Sequence, residues 1–185
     1  MTSKHPHPYL FPTRIDLSAE VRASLIELLN QTLANTLDLR TQVKQAHWNV
    51  KGMHFYQLHL LFDEIASELE EYVDLFAERI TPLGGVARGT ARMAAEKSHL
   101  PEYPLDLADG ADHVIALAER LAQYGKHVRG GIARADELGD ADTADIYTEV
   151  SRTIDKRLWF LEAHLHGSAS QSAQLVGAAS KVKGQ

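Results

Sequence analysis

The chain has no cysteine. That excludes disulfides and thiolate metal sites, so imidazole and carboxylate are the strong ligands left, a set suited to iron, manganese or zinc. No stretch approaches the ~18 uninterrupted apolar residues of a membrane-spanning helix. The opening residues, MTSKHPHPYLFPTRI, hold three prolines and no apolar run. A secretory signal is not expected there, and a cytoplasmic location follows as the default. An excess of basic charge is also missing: the formal net charge is −6. General attraction to nucleic-acid phosphate is thereby disfavoured, and any such binding has to come from local basic tails. Strand patterns and internal repeats are absent too. What is present, 185 residues with 44% hydrophobic and 24% charged side chains, describes one globular domain large enough to bury a core.

The apolar spacing predicts four long helices. The first begins near Ser18 and runs through Leu25, Leu29, Leu33 and Leu37 toward His47, stopping at the NVKG turn. The second spans about 54–82, with Phe62, Ile65, Leu69, Val73, Phe76 and Ile80 on one stripe. Residues 84–104 read as a long crossover containing one short alanine-rich helix near 91–97. Asp106 can cap a third helix through Leu107, Val114, Leu117, Leu121 and Val128, its end weakened by Gly130 and Gly131. After a turn at ELGDADT, the apolar positions Ile146, Val150, Ile154, Leu158, Leu161 and Leu165 mark a fourth. The expectation is an all-α fold of two helical hairpins joined by a long crossover between helices two and three. Residues 1–17 are expected as a flexible amino-terminal tail, 18–166 as the bundle and 167–185 as a carboxyl-terminal tail.

On a wheel of ~100° per residue the second helix has three faces. The apolar stripe takes one. His59, Asp63, Asp74 and Glu78 share an arc of about 100° away from it, and Glu64, Glu68 and Glu71 lie in a further sector. An acidic sector is ordinarily a solvated face, and His59 with Asp63 one turn on can be a simple hydrogen-bonded pair. Yet ligands of one kind recur on one face in two separate pairs. His59 and Asp74 stand roughly 22 Å apart along the axis, too far to share one ion. A second chain, related by a two-fold axis near residues 68 and 69, would set His59 and Asp63 of one copy against Asp74 and Glu78 of the other. His47, at the end of the preceding antiparallel helix, can join them.

The sequence resembles the Dps proteins, or miniferritins, of the ferritin-like fold. The segments that carry the resemblance are AHWNVKG (46–52), HLLFDEI (59–65), DLFAERI (74–80), GGVARGT (84–90), YPLD (103–106), DTADI (142–146) and DKRLWFLEAHL (155–165). It implies a ferritin-like four-helix bundle and a homo-oligomer, a twelve-subunit shell. It also implies ferroxidase centres across dimer interfaces, where Fe(II) is oxidised, preferentially by hydrogen peroxide, and stored as mineral against oxidative damage. Carried over, the ligands are His47, His59 and Asp63 from one subunit with Asp74 and Glu78 from its partner. Zinc or manganese suits the same ligands. The resemblance makes Asp140 and Asp145 candidates for a cation-conducting pore, and it makes Glu64, Glu68 and Glu71 candidates for mineral nucleation. Macrodipole stabilisation and plain solvation are their structural alternatives. Trp48 is expected to pack at the helix end or to intercept oxidising equivalents, and Trp159 to sit in the core.

The family name raises DNA as a partner. Lys4 and Arg14 at one end, with Lys181 and Lys183 at the other, are the basic tail residues. Multiplied over twelve subunits they can act together, although the acidic body opposes them. DNA binding, and with it a nucleoid association, stands as the alternative function. A static zinc or manganese shell without turnover is a third. KHPH and HLH (164–166) are weaker metal-binding candidates outside the principal site.

Overall fold

The computed structural model describes residues 10–182, with side chains to residue 166. Its elements are α1 (Ala19–Asn49), α2 (Phe55–Ile80), α3 (Ala91–Lys97), α4 (Gly110–Glu137) and α5 (Ala141–Val182). No strand occurs among the described residues, which hold a single isolated bridge between Lys51 and Asp109.

Helix α1 starts where a cap is available: Ser18 Oγ accepts from the Val21 N–H at 3.3 Å, relieving an amide that has no partner within the helix. It stops before Gly52, whose φ of +98° a side chain would make costly. Only residues 50–54 separate α1 from α2, so the two run antiparallel. The crossover is tied down by α1. Asn30 accepts from the Arg88 amide at 2.8 Å and donates to the Val86 carbonyl at 3.2 Å, while Asn35 accepts from the His99 amide at 2.9 Å. Helix α3 falls where the alanine-rich patch lies, capped by Thr90.

Leu25, Leu29 and Leu33 of α1, Phe62, Ile65, Leu69 and Phe76 of α2, Leu117, Leu121 and Val128 of α4, and Val150, Ile154 and Leu161 of α5 form one core. Each such side chain contributes about 1.5–3 kcal/mol on leaving water. The apolar stripe expected on α2 is the buried face, with Val73 half-buried at its edge.

Four details depart from the sequence reading. Helix α4 begins at Gly110 and not after Asp106, leaving Leu107 in the loop. The reason is contact: a Cβ at Gly110 would lie 2.6 Å from Leu58 Cδ1, so the helix starts where a residue without a side chain lets it approach α2. Gly130 and Gly131, expected to weaken the helix end, do not interrupt it, because α4 continues through them to Glu137. Gly131 makes room for an aromatic ring, since a Cβ there would come within 2.6 Å of Tyr147 Cδ1. Trp159 is 61% exposed and not in the core; it sits beside Phe160, with ring centroids 5.1 Å apart. The backbone of α5 remains helical to Val182, past residue 166, where the apolar periodicity fades.

Candidate metal centre

His47 lies in the last turn of α1 and His59 in the second turn of α2, and the short α1–α2 connection brings them face to face. Their rings stack with centroids 3.7 Å apart and an interplanar angle of 18°. The hydrogen bonds are reciprocal: His47 Nδ1 donates to the His59 carbonyl and His59 Nδ1 to the His47 carbonyl, both at 2.8 Å. A carbonyl only accepts, so each Nδ1 holds its proton and the neutral ring keeps its lone pair on Nε2. Carbonyl bonds of this kind orient imidazoles that bind metals.

Asp63, one helical turn after His59, has Oδ1 4.0 Å from His47 Nε2. The same oxygen accepts from Lys44 Nζ at 2.7 Å, and this hydrogen bond holds the Asp63 carboxyl below its ordinary pKa despite a small opposing effect of burial. Lys44 also lies 5.9 Å from the Trp48 ring centroid. The sequence reading missed Lys44. Its position three residues before His47, on the same face of α1, was the available signal.

Asp74 and Glu78 occupy the far half of α2, both exposed and with no side-chain partner among the described residues. Within one chain the structure thus brings His47, His59 and Asp63 together and leaves Asp74 and Glu78 apart. No group of three or more His, Asp or Glu side chains able to hold an ion forms among the described residues. Close in sequence to the histidines, Trp48 (67% exposed), Met53 (92%) and Tyr56 (66%) present apolar surface to solvent.

Other candidates are more deeply committed than their sequence suggested. Arg157, buried on α5, donates to both oxygens of Glu68 at 2.7 and 2.6 Å and to Glu64 at 3.0 Å. Two acids of the nucleation sector are therefore charge-compensated, and Glu71 alone of the three remains exposed without such a partner. Asp140 is only 4% exposed. It accepts from Arg79 through both oxygens, at 2.7 and 2.8 Å, and from the Thr143 hydroxyl at 2.5 Å. Burial pushes its carboxyl upward, but the Arg79 and Thr143 hydrogen bonds prevail and hold it below the usual range. In this conformation Asp140 is an ion-pair anchor and helix cap, without a free carboxylate for a pore. Asp145 is exposed. In HLH, His164 donates to the Phe160 carbonyl at 2.8 Å. Lys4 and Lys183, the KHPH segment and the Lys181 side chain lie outside the described residues; Arg14 is exposed.

A ferritin family model, described as a ferritin-like domain, matches residues 26–168, and the two hairpins with their crossover have the corresponding topology. The class of the protein is that of the ferritin-like bundles. The DNA protection during starvation protein of Agrobacterium fabrum is 42% identical over 153 residues, covering 83% of this chain and 94% of its own. DpsC from Streptomyces coelicolor is similar in structure with a TM-score of 0.81 at 33% identity, over 89% of this chain and 96% of that one. A Dps protein from Vibrio cholerae, described as a member of a broad superfamily of ferritin-like diiron-carboxylate proteins, gives 0.78 at 26% identity, over 85% and 99%. The chain belongs to the Dps family.

Proposed function

We propose that the protein is a Dps-type ferroxidase that oxidises Fe(II) to Fe(III) between subunits and stores the product inside a dodecameric shell. His47, His59 and Asp63 of one subunit, with Asp74 and Glu78 of its partner, are both the metal ligands and the catalytic residues of this reading. The observation that carries it is the imidazole pair: both Nδ1 protons are fixed on backbone carbonyls at 2.8 Å, leaving two Nε2 lone pairs, that of His47 4.0 Å from Asp63, with Asp74 and Glu78 of the same chain apart from them.

Carboxylate oxygens favour the harder ferric ion and imidazole tolerates both states, so the mixed set suits a site that takes in Fe(II) and gives up Fe(III). Iron is the substrate here, and zinc or manganese fits the same ligands. With hydrogen peroxide as oxidant, two Fe(II) ions supply one electron each, the O–O bond breaks, and two protons complete two waters without release of a hydroxyl radical. Dioxygen is the slower alternative. Protection against oxidative damage in the cytoplasm follows from removing both reactants. Asp145 and Glu71 remain candidates for cation entry and mineral nucleation. The DNA reading rests on the basic tails and on the name of the relatives, and a salt-sensitive gel shift of the intact protein tests it.

Subunit complementation tests the main reading. His59→Ala and Glu78→Ala each remove one half of the site. In a mixed dimer one of the two sites pairs both defects and the other pairs two intact halves. Equal mixing before assembly is therefore expected to restore about one quarter of wild-type peroxide-driven oxidation, whereas a site contained in one chain would recover nothing.

A further inference from the structure

We propose that Tyr147 is an internal electron donor: a buried phenol that reduces one-electron oxidants while its proton leaves through Thr32 toward His127. The observation is a chain of three groups in the core. Tyr147 Oη lies 2.7 Å from Thr32 Oγ1, and Thr32 Oγ1 lies 2.9 Å from His127 Nε2. Tyr147 and Thr32 are both fully buried. His127 is half-buried, so the chain leads from the dry core to a ring that water can reach.

A phenol gives up an electron readily only if its proton has somewhere to go. Thr32 Oγ1 also reaches the Leu28 carbonyl at 3.1 Å and Tyr147 Oη reaches it at 3.4 Å; the transfer starts from the rotamer in which Tyr147 donates to Thr32 and Thr32 turns its hydroxyl proton to the His127 lone pair. Burial, helped by nearby His99, pushes the His127 ring toward its neutral form, which keeps that lone pair available. On oxidation Tyr147 loses one electron to the oxidant. Its proton moves to Thr32 Oγ1, and the hydroxyl proton of Thr32 moves to His127 Nε2. The bonds then run the other way, with His127 donating to Thr32 and Thr32 to the tyrosyl oxygen. Every polar atom keeps a partner before and after, so the shift leaves no buried group orphaned.

Tyr124 provides the contrast. It is equally buried and pairs with another α1 threonine, Thr36, at 2.7 Å. Thr36 donates to the Thr32 carbonyl at 2.7 Å, as Thr32 can to the Leu28 carbonyl at 3.1 Å. A carbonyl does not take up the proton, and no imidazole follows. The two tyrosines thus share environment and first partner and differ in the base beyond.

The position of Tyr147 supplies its oxidant. Its ring lies 5.2 Å from that of Phe76, which stands on α2 between Asp74 and Glu78. One helix separates the phenol from the acidic half of the proposed iron site. This part rests on the ferroxidase reading: when Fe(II) and peroxide react one electron at a time they yield hydroxyl radical, which becomes water on taking one electron and one proton.

The experiment supplies the oxidant independently. The intact protein, free of iron, is oxidised with a flash-quenched ruthenium tris-bipyridine complex and frozen for electron paramagnetic resonance. Radicals at exposed Tyr56, Trp48 and Trp159 decay by coupling, so the readout is the neutral tyrosyl signal that persists for seconds. It is expected to vanish in Tyr147→Phe, which removes only a hydroxyl, and to remain in Tyr124→Phe. In His127→Gln, which accepts a hydrogen bond but no proton, the yield is expected to fall about tenfold or more. A persistent signal that survives Tyr147→Phe, depends equally on Tyr124 or ignores His127 overturns the proposal. Repeating the measurement with Fe(II) and peroxide asks about the iron site separately; a signal from the photo-oxidant alone upholds Tyr147 and means that the iron reaction releases no one-electron oxidant, as paired two-electron reduction of peroxide requires.

Discussion

The two helical hairpins treat their polar side chains in opposite ways. In α1–α2 the residues of the candidate site retain bonding capacity: His47 and His59 have each used one nitrogen and kept the other, and Asp74 and Glu78 have no side-chain partner among the described residues. In α4–α5 several buried polar groups are fully engaged by neighbours, although buried His113 keeps an Nε2 with no partner. Asp140 is held by Arg79 and Thr143, Arg157 by Glu64 and Glu68, and Arg120 by Gln42 and the Ala116 and Glu102 carbonyls. A polar group whose partners are all in place serves the fold, whereas one held in position where solvent reaches it, with a lone pair left over, is available to something outside the chain. The difference separates chemistry from architecture where residue type alone does not.

The largest effect is expected on the chemical side. His59→Ala should lower peroxide-driven iron oxidation by at least about a hundredfold, more than loss of an outer partner of a metal ligand costs. Urea unfolding should meanwhile shift by less than about 1 kcal/mol, because the ring lies at a half-exposed helix end. Substantial unfolding would erase the contrast between the hairpins.

On the architectural side, Asp140→Asn removes one member of a buried ion pair and is expected to cost about 3 kcal/mol while leaving metal titration at the histidines unchanged. The effect carries a pH sign. Because the Asp140 carboxyl is held below its ordinary value, its ionised form stabilises the fold above the unfolded carboxylate pKa of about 3.9, and that contribution fades as pH falls through the lower folded value. Urea midpoints of wild type and variant should therefore draw closer as pH falls from 7 to 3. Gly131→Ala is expected to cost somewhat less, about 2 kcal/mol, since its methyl must displace the Tyr147 ring in a packed core. Calorimetry would register it, and iron oxidation would not.

The same distinction explains what was legible in the sequence. Periodicity placed the four long helices and the buried stripe of α2, because burial of one helical face repeats every 3.6 residues, and an alanine-rich patch marked the short α3. Four of the five candidate ligands were legible as residue types on a shared arc of α2, and His47 as a neighbour at the end of the preceding helix. Their differing degrees of commitment were not. Nothing near Asp140 in sequence reveals that Arg79, 61 residues earlier, occupies both its oxygens, and Arg157 is farther still from its partners, 93 residues from Glu64 and 89 from Glu68. Trp159 was misplaced for a related reason: an aromatic residue within an apolar helical run reads as core, and one step around the wheel puts it in water. Long-range pairing and helix rotation are set by packing against other elements, which a one-dimensional pattern does not contain.

The smallest effect concerns the one site residue whose capacity is already partly engaged. Lys44 donates to the Asp63 oxygen nearest His47, so a cation approaching that oxygen must displace an ammonium group. Lys44→Met keeps the stem over Trp48 and removes the charge. Anaerobic Co(II) titration is expected to show affinity rising about two- to fivefold, the scale of a partly exposed ion pair. The gain should disappear in about 1 M salt, where charges are screened within roughly 3 Å. If Lys44 instead served only to orient Asp63, affinity would fall, and the fall would persist in salt because a misplaced ligand is not repaired by screening. The sign of the change thus decides whether Lys44 belongs with the engaged residues of the fold or guards the vacant valence of the site.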